Sequence, residues 1–183
     1  RPLISSTDIP SVHFLALNLS DLEVDVLSNF ESADDIRKAV WASCSIPVIA
    51  GDITRFRDFE YIDGGLIESI PFQTALDLGA TRVLVLRSAH KDYIKSDNIF
   101  SKRIQRLLLK RVDPVIVGLI LSRPARYNAE AYTLRNLEKT HLEGKIHQIT
   151  PEKNAVNGLE SNYKDLLKGF SIGFDAAIKE LCV

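Results

Sequence analysis

The sequence has few of the cysteines that are typical of secreted proteins and none of the long apolar runs that are typical of membrane-spanning proteins. It has two cysteines and no methionine among its 183 residues. Cys44 and Cys182 cannot form a framework of several disulfides, so we expect a reducing compartment and a cytoplasmic protein. The longest apolar run, at residues 115–121, is far too short to cross a bilayer, and we expect no signal peptide at the amino end. A chain that begins at Arg1 without a methionine is expected to be a piece of a longer protein.

Charge and motif content exclude further classes of protein. The formal net charge is −1, which favours neither nucleic acid nor another strongly charged partner. Neither a P-loop nor a G-x-G-x-x-G pattern occurs, so a nucleotide-type α/β domain has no motif to support it. His90, His141 and His147 lack partners at the spacings typical of zinc sites. We therefore predict no cofactor, no metal and no nucleic-acid partner.

Hydrophobic patterning predicts a layered α/β fold in a single domain. A hydrophobic content of 45% is enough for one real core. Ser32 is typical of an N-cap, and Pro71 and Gly79 are typical of the first turn and the end of a helix. The predicted order is a strand at 12–19, a short hairpin or loop strand at 22–30, a helix at 32–43, a loosely alternating segment at 53–62, a helix from 71 to 79, a buried parallel strand at 82–86, helical residues 97–139 interrupted at Pro114 and Pro124, a strand at 145–149 and a closing helix at 161–181.

Particular helix faces carry further expectations. Val40 and Leu78 are expected on the buried sides of their helices. One face of the segment that follows residue 97 is basic. A basic amphipathic helix is typical either of a solvated surface above an apolar stripe or of peripheral contact with an anionic membrane, and both interpretations stay open. The basic residues are Lys102, Arg103, Arg106 and Lys110.

Residues 169–173 match the G-x-S-x-G pattern of a nucleophile elbow, but their surroundings do not. That motif needs a strand before the serine and a helix after it. Here a helical periodicity runs through the motif, and the last histidine, His147, precedes it. Ser171 is therefore predicted to lie on the side of a helix, with Gly169 and Gly173 allowing close packing.

The stretch from Glu60 to Leu66 places an acidic residue at a strand end, followed by two glycines. Asp63 precedes Gly64 and Gly65, where the backbone must turn or let another group approach closely. A carboxylate at this point lies where chemistry in α/β proteins usually occurs. Asp-Gly also indicates an Asx-type turn between two strands, so both interpretations are open at this stage.

Several segments together resemble the patatin-like phospholipases, and the likeness covers most of the chain. A segment resembling A-S-x-A-x-P precedes the Asp-Gly-Gly turn, with Ser45 where the family usually has alanine, and a helix ending in Leu-Gly-Ala follows. Later segments are similar to the bacterial branch of these proteins. The segments are 42–47, 61–66, 70–71, 78–80, 126–128, 144–146, 150–152 and the final helix.

The resemblance implies a three-layer α/β sandwich and a Ser-Asp dyad that cleaves carboxylic esters of phospholipids or other acyl lipids. It makes Asp63 the base that deprotonates the serine, with Gly64 and Gly65 completing the motif. The family's glycine-rich loop and nucleophile elbow lie upstream of the aspartate, and the 62 residues before Asp63 contain neither. We therefore expect the C-terminal part of a catalytic domain, which is inactive alone. Residues 1–88 would supply core strands with the turn, and residues 89–183 the helical segment, late strand and closing helix.

The predicted partners follow from that interpretation. They are an acyl lipid or ester substrate, the missing N-terminal half of the same protein, a membrane surface in peripheral contact, and a second copy of the chain. The alternative is a non-catalytic lipid- or protein-binding remnant of the same fold. The parent reading frame discriminates between them, because an enzyme needs a glycine-rich loop and a G-x-S-x-G motif upstream.

Overall fold

A computed structural model describes residues 10–47, 50–96, 110, 112–153 and 160–181. The chain divides into two compact units. The first contains residues 1–69 and 96–127, and the second contains residues 70–95 and 128–183. The prediction of a single domain stays a prediction, and the two units are described separately. Of the predicted basic face at residues 102–110, only Lys110 lies within the described residues.

The first unit is built on a four-stranded antiparallel sheet in the order β2-β1-β4-β3. The predicted strand at 12–19 and the strand end before the acidic turn are confirmed. Residues 22–30 contain a single strand, which is the loop-strand alternative, and the segment 53–62 is divided into two strands that pair with each other. Leu17 pairs with Ile62, and Ala16 pairs with Asp63. The strands are β1 (Phe14–Asn18), β2 (Val24–Leu27), β3 (Thr54–Phe56) and β4 (Phe59–Asp63).

Side chains on the two faces of this sheet enter two separate apolar clusters. Leu17 and Ile62 contribute to one cluster, whereas Ala16 and Tyr61 contribute to the other. The alternation follows from the period of two in a strand, which sends neighbouring side chains to opposite faces. Both faces of β1 and β4 are therefore covered, and Asp63 lies at the end of a strand that cannot shift its register without exposing a core.

Helix α1 (Ala33–Cys44) packs on the sheet through small residues. Ser32 caps it as predicted, since its Oγ accepts the N–H of Asp35 at 3.1 Å. Ala39 and Ala42 are fully buried. The prediction that Val40 is buried is wrong, because it is 41% exposed. Ala39 and Ala42 share one helix face, and Val40 is turned about 100° away from Ala39.

Helix α3 (Pro114–Arg135) starts in the first unit and ends in the second. Pro114 begins it as predicted, but the predicted interruption at Pro124 is wrong, because the helix runs through this residue. A proline removes one backbone donor, and the N–H that Pro124 lacks would have paired with the Ile120 carbonyl, four residues earlier. Ser122 Oγ donates to the Gly118 carbonyl, and Arg126 Nη2 donates to the Leu119 carbonyl at 2.8 Å. These carbonyls lie two residues and one residue before Ile120, so the two bonds do not replace the donor that Pro124 removes.

The second unit contains a parallel pair of strands, as predicted for residues 82–86. Strand β5 (Val83–Leu86) pairs with β6 (Ile146–Ile149). The prediction of a continuously buried strand is wrong for β5, since Leu84 is 48% and Leu86 70% exposed. Leu84 and Leu86 lie on one face of the strand, which is exposed, whereas Val85 on the other face is buried. Helix α2 (Phe72–Asp77) ends before Gly79, whose φ of +95° confirms the predicted C′ position.

Two further predictions about helices fail in the second unit. Leu78 was predicted on a buried face, yet it is the C-cap of α2 and 53% exposed. A Cβ at Gly173 would meet no described atom within 4 Å, so close packing does not explain this glycine. The closing helix α4 (Tyr163–Leu181) is confirmed, and Ser171 lies inside it, away from any strand-to-helix turn. Phe170 is 71% exposed.

No helix in the described part of the chain is both long enough and apolar enough to traverse a bilayer.

Candidate active site

Asp63 is held at the end of β4 by interactions with its own turn and with the end of α1. Its backbone N–H donates to the Ser45 carbonyl at 2.8 Å. Its Oδ1 accepts the N–H of Gly65 at 2.8 Å, which caps a 3₁₀ turn at Gly64–Leu66. The Asx-type hydrogen bond foreseen from the sequence is therefore present, but a 3₁₀ turn follows it instead of a strand. The side chain of Asp63 is 13% exposed, so the carboxylate is mostly buried but still accessible to solvent.

The two glycines after Asp63 are required for different reasons. A Cβ at Gly64 would lie 2.7 Å from the carbonyl carbon and oxygen of Leu15. A Cβ at Gly65 would lie 2.9 Å from Asp63 Oδ1 and 3.2 Å from Arg123 Nη2. Gly64 therefore lets the turn approach strand β1, while Gly65 leaves room for the carboxylate and a neighbouring cation.

That cation is Arg123, which no motif in the sequence predicted. Its Nη2 lies 3.3 Å from Asp63 Oδ2, and its side chain is 27% exposed. Arg123 Nε is buried and has no hydrogen-bond partner among the described residues. The carboxylate thus has a backbone N–H on one oxygen and a guanidinium beside the other, which fixes its plane and its orientation.

One helical turn after Arg123, helix α3 is hydrogen-bonded to the 3₁₀ turn that follows Asp63. Arg126 Nε donates to the Leu66 carbonyl at 2.8 Å, and Leu66 is fully buried. Ile116 and Ile120 pack with Leu66 in one apolar cluster. Ile116, Ile120 and Arg123 follow the i, i+4, i+7 spacing of one helix face. This spacing is the signal that could have drawn attention to Arg123 in the sequence.

The end of α1 contributes a thiol that responds to the charge of the carboxylate. Cys44 is exposed as a residue, but partial burial of its thiol, and secondarily the negative charge of Asp63, raise the pKa of this group above its ordinary value. Cys44 Sγ also donates to the Val40 carbonyl at 2.9 Å. Ser45 Oγ lies 3.3 Å from Thr54 Oγ1, and Ser69 Oγ donates to the Gly65 carbonyl. Because the nucleophile is the thiolate and not the thiol, Cys44 is poorly suited to attack an ester.

The pairing of β1, β2 and β4 is reinforced by a polar group behind the site. Asp25 Oδ2 accepts the Tyr61 hydroxyl at 2.8 Å and the Asn18 amide at 3.0 Å. Burial and this hydrogen bond raise the pKa of Tyr61 above its ordinary value of 10.0. Asn18 and Tyr61 are both almost fully buried, so the network fixes the strand that ends in Asp63.

Other features of the described residues are weaker candidates. A pocket lies in the second unit, beside the carboxyl ends of β5 and β6 and against α4, and Arg87 is its one charged lining residue. Its lining offers no acid-base pair. Within the described ranges, no group of three or more histidine, cysteine, aspartate or glutamate side chains is arranged to hold a metal ion. The predicted site residues Asp63, Gly64 and Gly65 therefore remain the strongest candidate.

Two family models match separate parts of the chain. Residues 7–76 match the patatin-like phospholipase family. Residues 113–181 match a domain of unknown function, DUF6363. Asp63 lies in the first matched segment, and Arg123 lies in the second.

Two curated relatives align with about half of the chain. Mouse (Mus musculus) 1-acylglycerol-3-phosphate O-acyltransferase Pnpla3 is 33% identical over 103 residues, which are 54% of this chain and 24% of that protein. The human (Homo sapiens) 1-acylglycerol-3-phosphate O-acyltransferase PNPLA3 is 31% identical over 98 residues, which are 50% of this chain and 19% of that protein. The matched region therefore covers a quarter or less of each relative.

These matches confirm the predicted resemblance over residues 7–76, whereas the later segments, from residue 126 onward, fall within the DUF6363 match. Residues 7–76, which contain Asp63 and both glycines of the turn, are patatin-like. The mixed α/β content of the chain accompanies this match.

Proposed function

We propose that this chain supplies the general base of a serine acyl hydrolase that acts on carboxylic esters of acyl lipids. Asp63 is the base, and the nucleophilic serine lies on upstream sequence of the parent protein. The observation that carries this proposal is the carboxylate of Asp63, oriented at a strand end by the N–H of Gly65. The patatin-like match over residues 7–76 supports it.

The proposed chemistry proceeds in two halves. The serine oxygen attacks the ester carbonyl while its proton passes to Asp63. The tetrahedral intermediate then expels the alcohol, which takes that proton and leaves an acyl-enzyme. In the second half, an acceptor hydroxyl gives its proton to Asp63 and attacks the acyl group, and the proton finally returns to the serine. Oxyanion stabilisation by the upstream loop would contribute about 3–4 kcal/mol per donor.

The second acceptor decides between hydrolysis and transfer. Water as acceptor gives a free fatty acid, whereas a glycerol hydroxyl gives a new ester. The names of the two relatives describe acyl transfer to 1-acylglycerol-3-phosphate. An ester panel should therefore be assayed both with water alone and with 1-acylglycerol-3-phosphate as an added acceptor.

The test uses the parent protein extended upstream of this chain. Asp63→Asn should abolish or strongly slow both ester turnover and labelling of the serine by a fluorophosphonate probe. Asp58→Asn, which removes an exposed carboxylate from the β3–β4 turn, is the matched control. Full activity of Asp63→Asn would refute the assignment. Serine-dependent turnover of p-nitrophenyl esters by residues 1–183 alone would refute the upstream location of the nucleophile.

The rest of the proposal concerns the parent protein as a whole. We propose that upstream strands complete a three-layer α/β sandwich around Asp63. We also propose a cytoplasmic protein that meets its acyl lipid by peripheral membrane contact, for which the basic residues at 102–110 are the sequence support. Sedimentation with anionic and neutral vesicles separates this contact from a solvated basic face. Analytical ultracentrifugation of the chain with and without the upstream half tests self-association.

The alternative is a non-catalytic remnant that binds lipid or protein. One observation favours this alternative. Asp63 forms an ion pair with Arg123, and a carboxylate that is paired with a cation also suits a purely structural role. A parent reading frame that lacks both the glycine-rich loop and the G-x-S-x-G motif would favour this alternative.

A further inference from the structure

Arg123 stands beside the candidate base but comes from a different part of the sequence. Asp63 lies within the patatin-like match, whereas Arg123 lies sixty residues later, in the segment that matches the domain of unknown function. Both residues belong to the first compact unit. The contact between Arg123 Nη2 and Asp63 Oδ2 at 3.3 Å therefore links the two matched segments at the site.

The backbone around this pair is arranged to admit the guanidinium. A side chain at Gly65 would begin only 3.2 Å from Arg123 Nη2 and 2.9 Å from Asp63 Oδ1. Such separations are shorter than ordinary van der Waals contact, so one of the two groups would have to move. The second glycine of the motif thus keeps open the space in which the carboxylate and the guanidinium meet.

The position of Arg123 is set from both sides along α3. Ile120, three residues earlier, is 1% exposed and packs in the cluster that includes Ile62 and Leu66. Arg126, three residues later, donates to the Leu66 carbonyl at 2.8 Å. A residue between two such anchors cannot slide along the turn without breaking one of them. The guanidinium is therefore held near the carboxylate by the packing of the helix as well as by charge.

Arg123 also leaves one buried donor without a hydrogen bond, which is energetically unfavourable and would not be expected of a purely structural ion pair. Its Nε is buried without a hydrogen-bond partner among the described residues. Most buried donors in folded proteins are paired, and an exception often coincides with a functional site. The pair is not the side-on form in which Nε and Nη2 both bind the carboxylate, because Nη2 lies 3.3 Å from Asp63 Oδ2 while Nε is without a hydrogen bond among the described residues.

We propose that Arg123 is a positioning residue for Asp63. It holds Oδ2 while the N–H of Gly65 holds Oδ1, so that the carboxylate keeps one orientation toward the proton it must accept. Arg123 acts through Asp63 and does not itself touch the reacting atoms. This proposal rests on the proposed function, because it assigns a role within the same acyl-transfer chemistry.

The experiment compares Arg123→Met, Arg123→Lys and the matched control Arg55→Met in the upstream-extended parent protein. Arg55 is an exposed arginine of β3 in the same unit. Arg123→Met should lower kcat by about 10- to 100-fold with KM within about twofold, since a misplacement of about 1 Å can cost about 100-fold in rate. Arg123→Lys should lower kcat by about 3- to 10-fold, because it keeps the charge but loses the planar fork. Arg55→Met should behave as wild type.

A double-mutant cycle on the rate of fluorophosphonate labelling separates positioning from an independent role. If Arg123 acts through Asp63, Arg123→Met should add no further loss to Asp63→Asn. Losses that multiply, or a wild-type kcat in Arg123→Met, would overturn the proposal. If Arg123→Met does not fold, Arg123→Lys decides: a lowered kcat with an unchanged unfolding midpoint supports positioning, and a wild-type kcat overturns it.

The same cycle distinguishes failure of this inference from failure of the proposed function. Full labelling and turnover in Asp63→Asn would show that Asp63 is not the base, and both proposals would fall. Loss of activity in Asp63→Asn together with wild-type behaviour of both Arg123 variants would leave the base assigned and reject only the positioning role.

Discussion

The α-carbon of Gly64 faces the backbone of Leu15 so closely that a Cβ at this position would lie 2.7 Å from the Leu15 carbonyl carbon and oxygen. Leu15 is part of β1, whose next residue, Ala16, pairs with Asp63. The obstacle is therefore backbone in the middle of a sheet, which cannot rotate aside as a flexible side chain can. The turn after Asp63 therefore contacts strand β1 at Gly64, where no residue with a Cβ fits without a shift of the backbone.

We expect Gly64→Ala to destabilise the protein by about 3 kcal/mol or more, the upper end of the cost of overpacking. Gly79→Ala is the matched comparison, because Gly79 has a φ of +95° but open space within 4 Å of a Cβ among the described residues. It should cost only about 1–2 kcal/mol from backbone strain. Urea denaturation followed by circular dichroism measures both. A smaller cost at Gly64 than at Gly79 would contradict the close approach to Leu15.

The carboxylate of Asp25, which accepts hydrogen bonds from a residue of β1 and a residue of β4, gives a second prediction. Asp25→Ala removes the partner of the Tyr61 hydroxyl and of the Asn18 amide, which lie 2.8 Å and 3.0 Å from Asp25 Oδ2. A buried donor left unsatisfied costs about 1–3 kcal/mol, so the variant should lose about 2–4 kcal/mol of unfolding free energy. In the background of Tyr61→Phe the same change should cost less, because one of the two donors is then absent. Equal costs in both backgrounds would show that the hydroxyl does not depend on Asp25.

Tyr61 should also make the stability of the fold fall at alkaline pH. Its pKa is raised in the folded state by burial and by the hydrogen bond to Asp25, above the ordinary value of 10.0. Above that value the unfolded chain has lost the proton while the folded chain retains it, so the free energy of unfolding decreases as pH rises. Below about pH 10 this contribution is fully present. The difference in stability between wild type and Tyr61→Phe, measured by urea denaturation, should shrink from pH 9 to pH 11. A constant or growing difference would contradict this sign.

The parts of the fold that the sequence predicted correctly depend on local interactions. Ser32 caps the turn that follows it, and Gly79 ends the helix just before it, so each signal lies within a few residues of its effect. The placement of Asp63 at a strand end is of the same kind. The close approach expected at Gly64 and Gly65 is also observed, although the partner of Gly64, the backbone of Leu15, could not be foreseen.

The failures arise where distant groups decide the outcome. Pro124 was expected to interrupt a helix, but the helix continues through it, and its flanks at Ile120 and Arg126 are held by contacts with the Asp63 turn, which is distant in sequence. Leu86 was expected to be buried, but it lies with Leu84 on the exposed face of its strand, and only an element distant in sequence could cover that face. Arg123 meets Asp63 across sixty residues of sequence, and an arginine on a helix has no local mark that distinguishes an ion pair from a solvated charge.

The thiol of Cys44 provides a chemical probe of the charge on Asp63. Burial raises the pKa of this thiol, and the negative charge of Asp63 raises it further. Cys44 also lies in the last turn of α1, where the helix dipole opposes a second negative charge. Because alkylation requires the thiolate, the rate of reaction with iodoacetamide should rise only at a pH above the ordinary thiol value of 9.0.

We expect Asp63→Asn to lower the apparent pKa of Cys44 alkylation, but to leave it raised, since burial is the larger cause. The measurement uses a Cys182→Ser background, so that Cys44 is the one thiol that reacts. Asp58→Asn, which removes an exposed carboxylate, should leave the alkylation profile where it is. A profile that does not move in Asp63→Asn would mean that the carboxylate exerts no field at the end of α1. An upward shift would reverse the sign of the interaction, because loss of a negative neighbour can only make the thiolate easier to form.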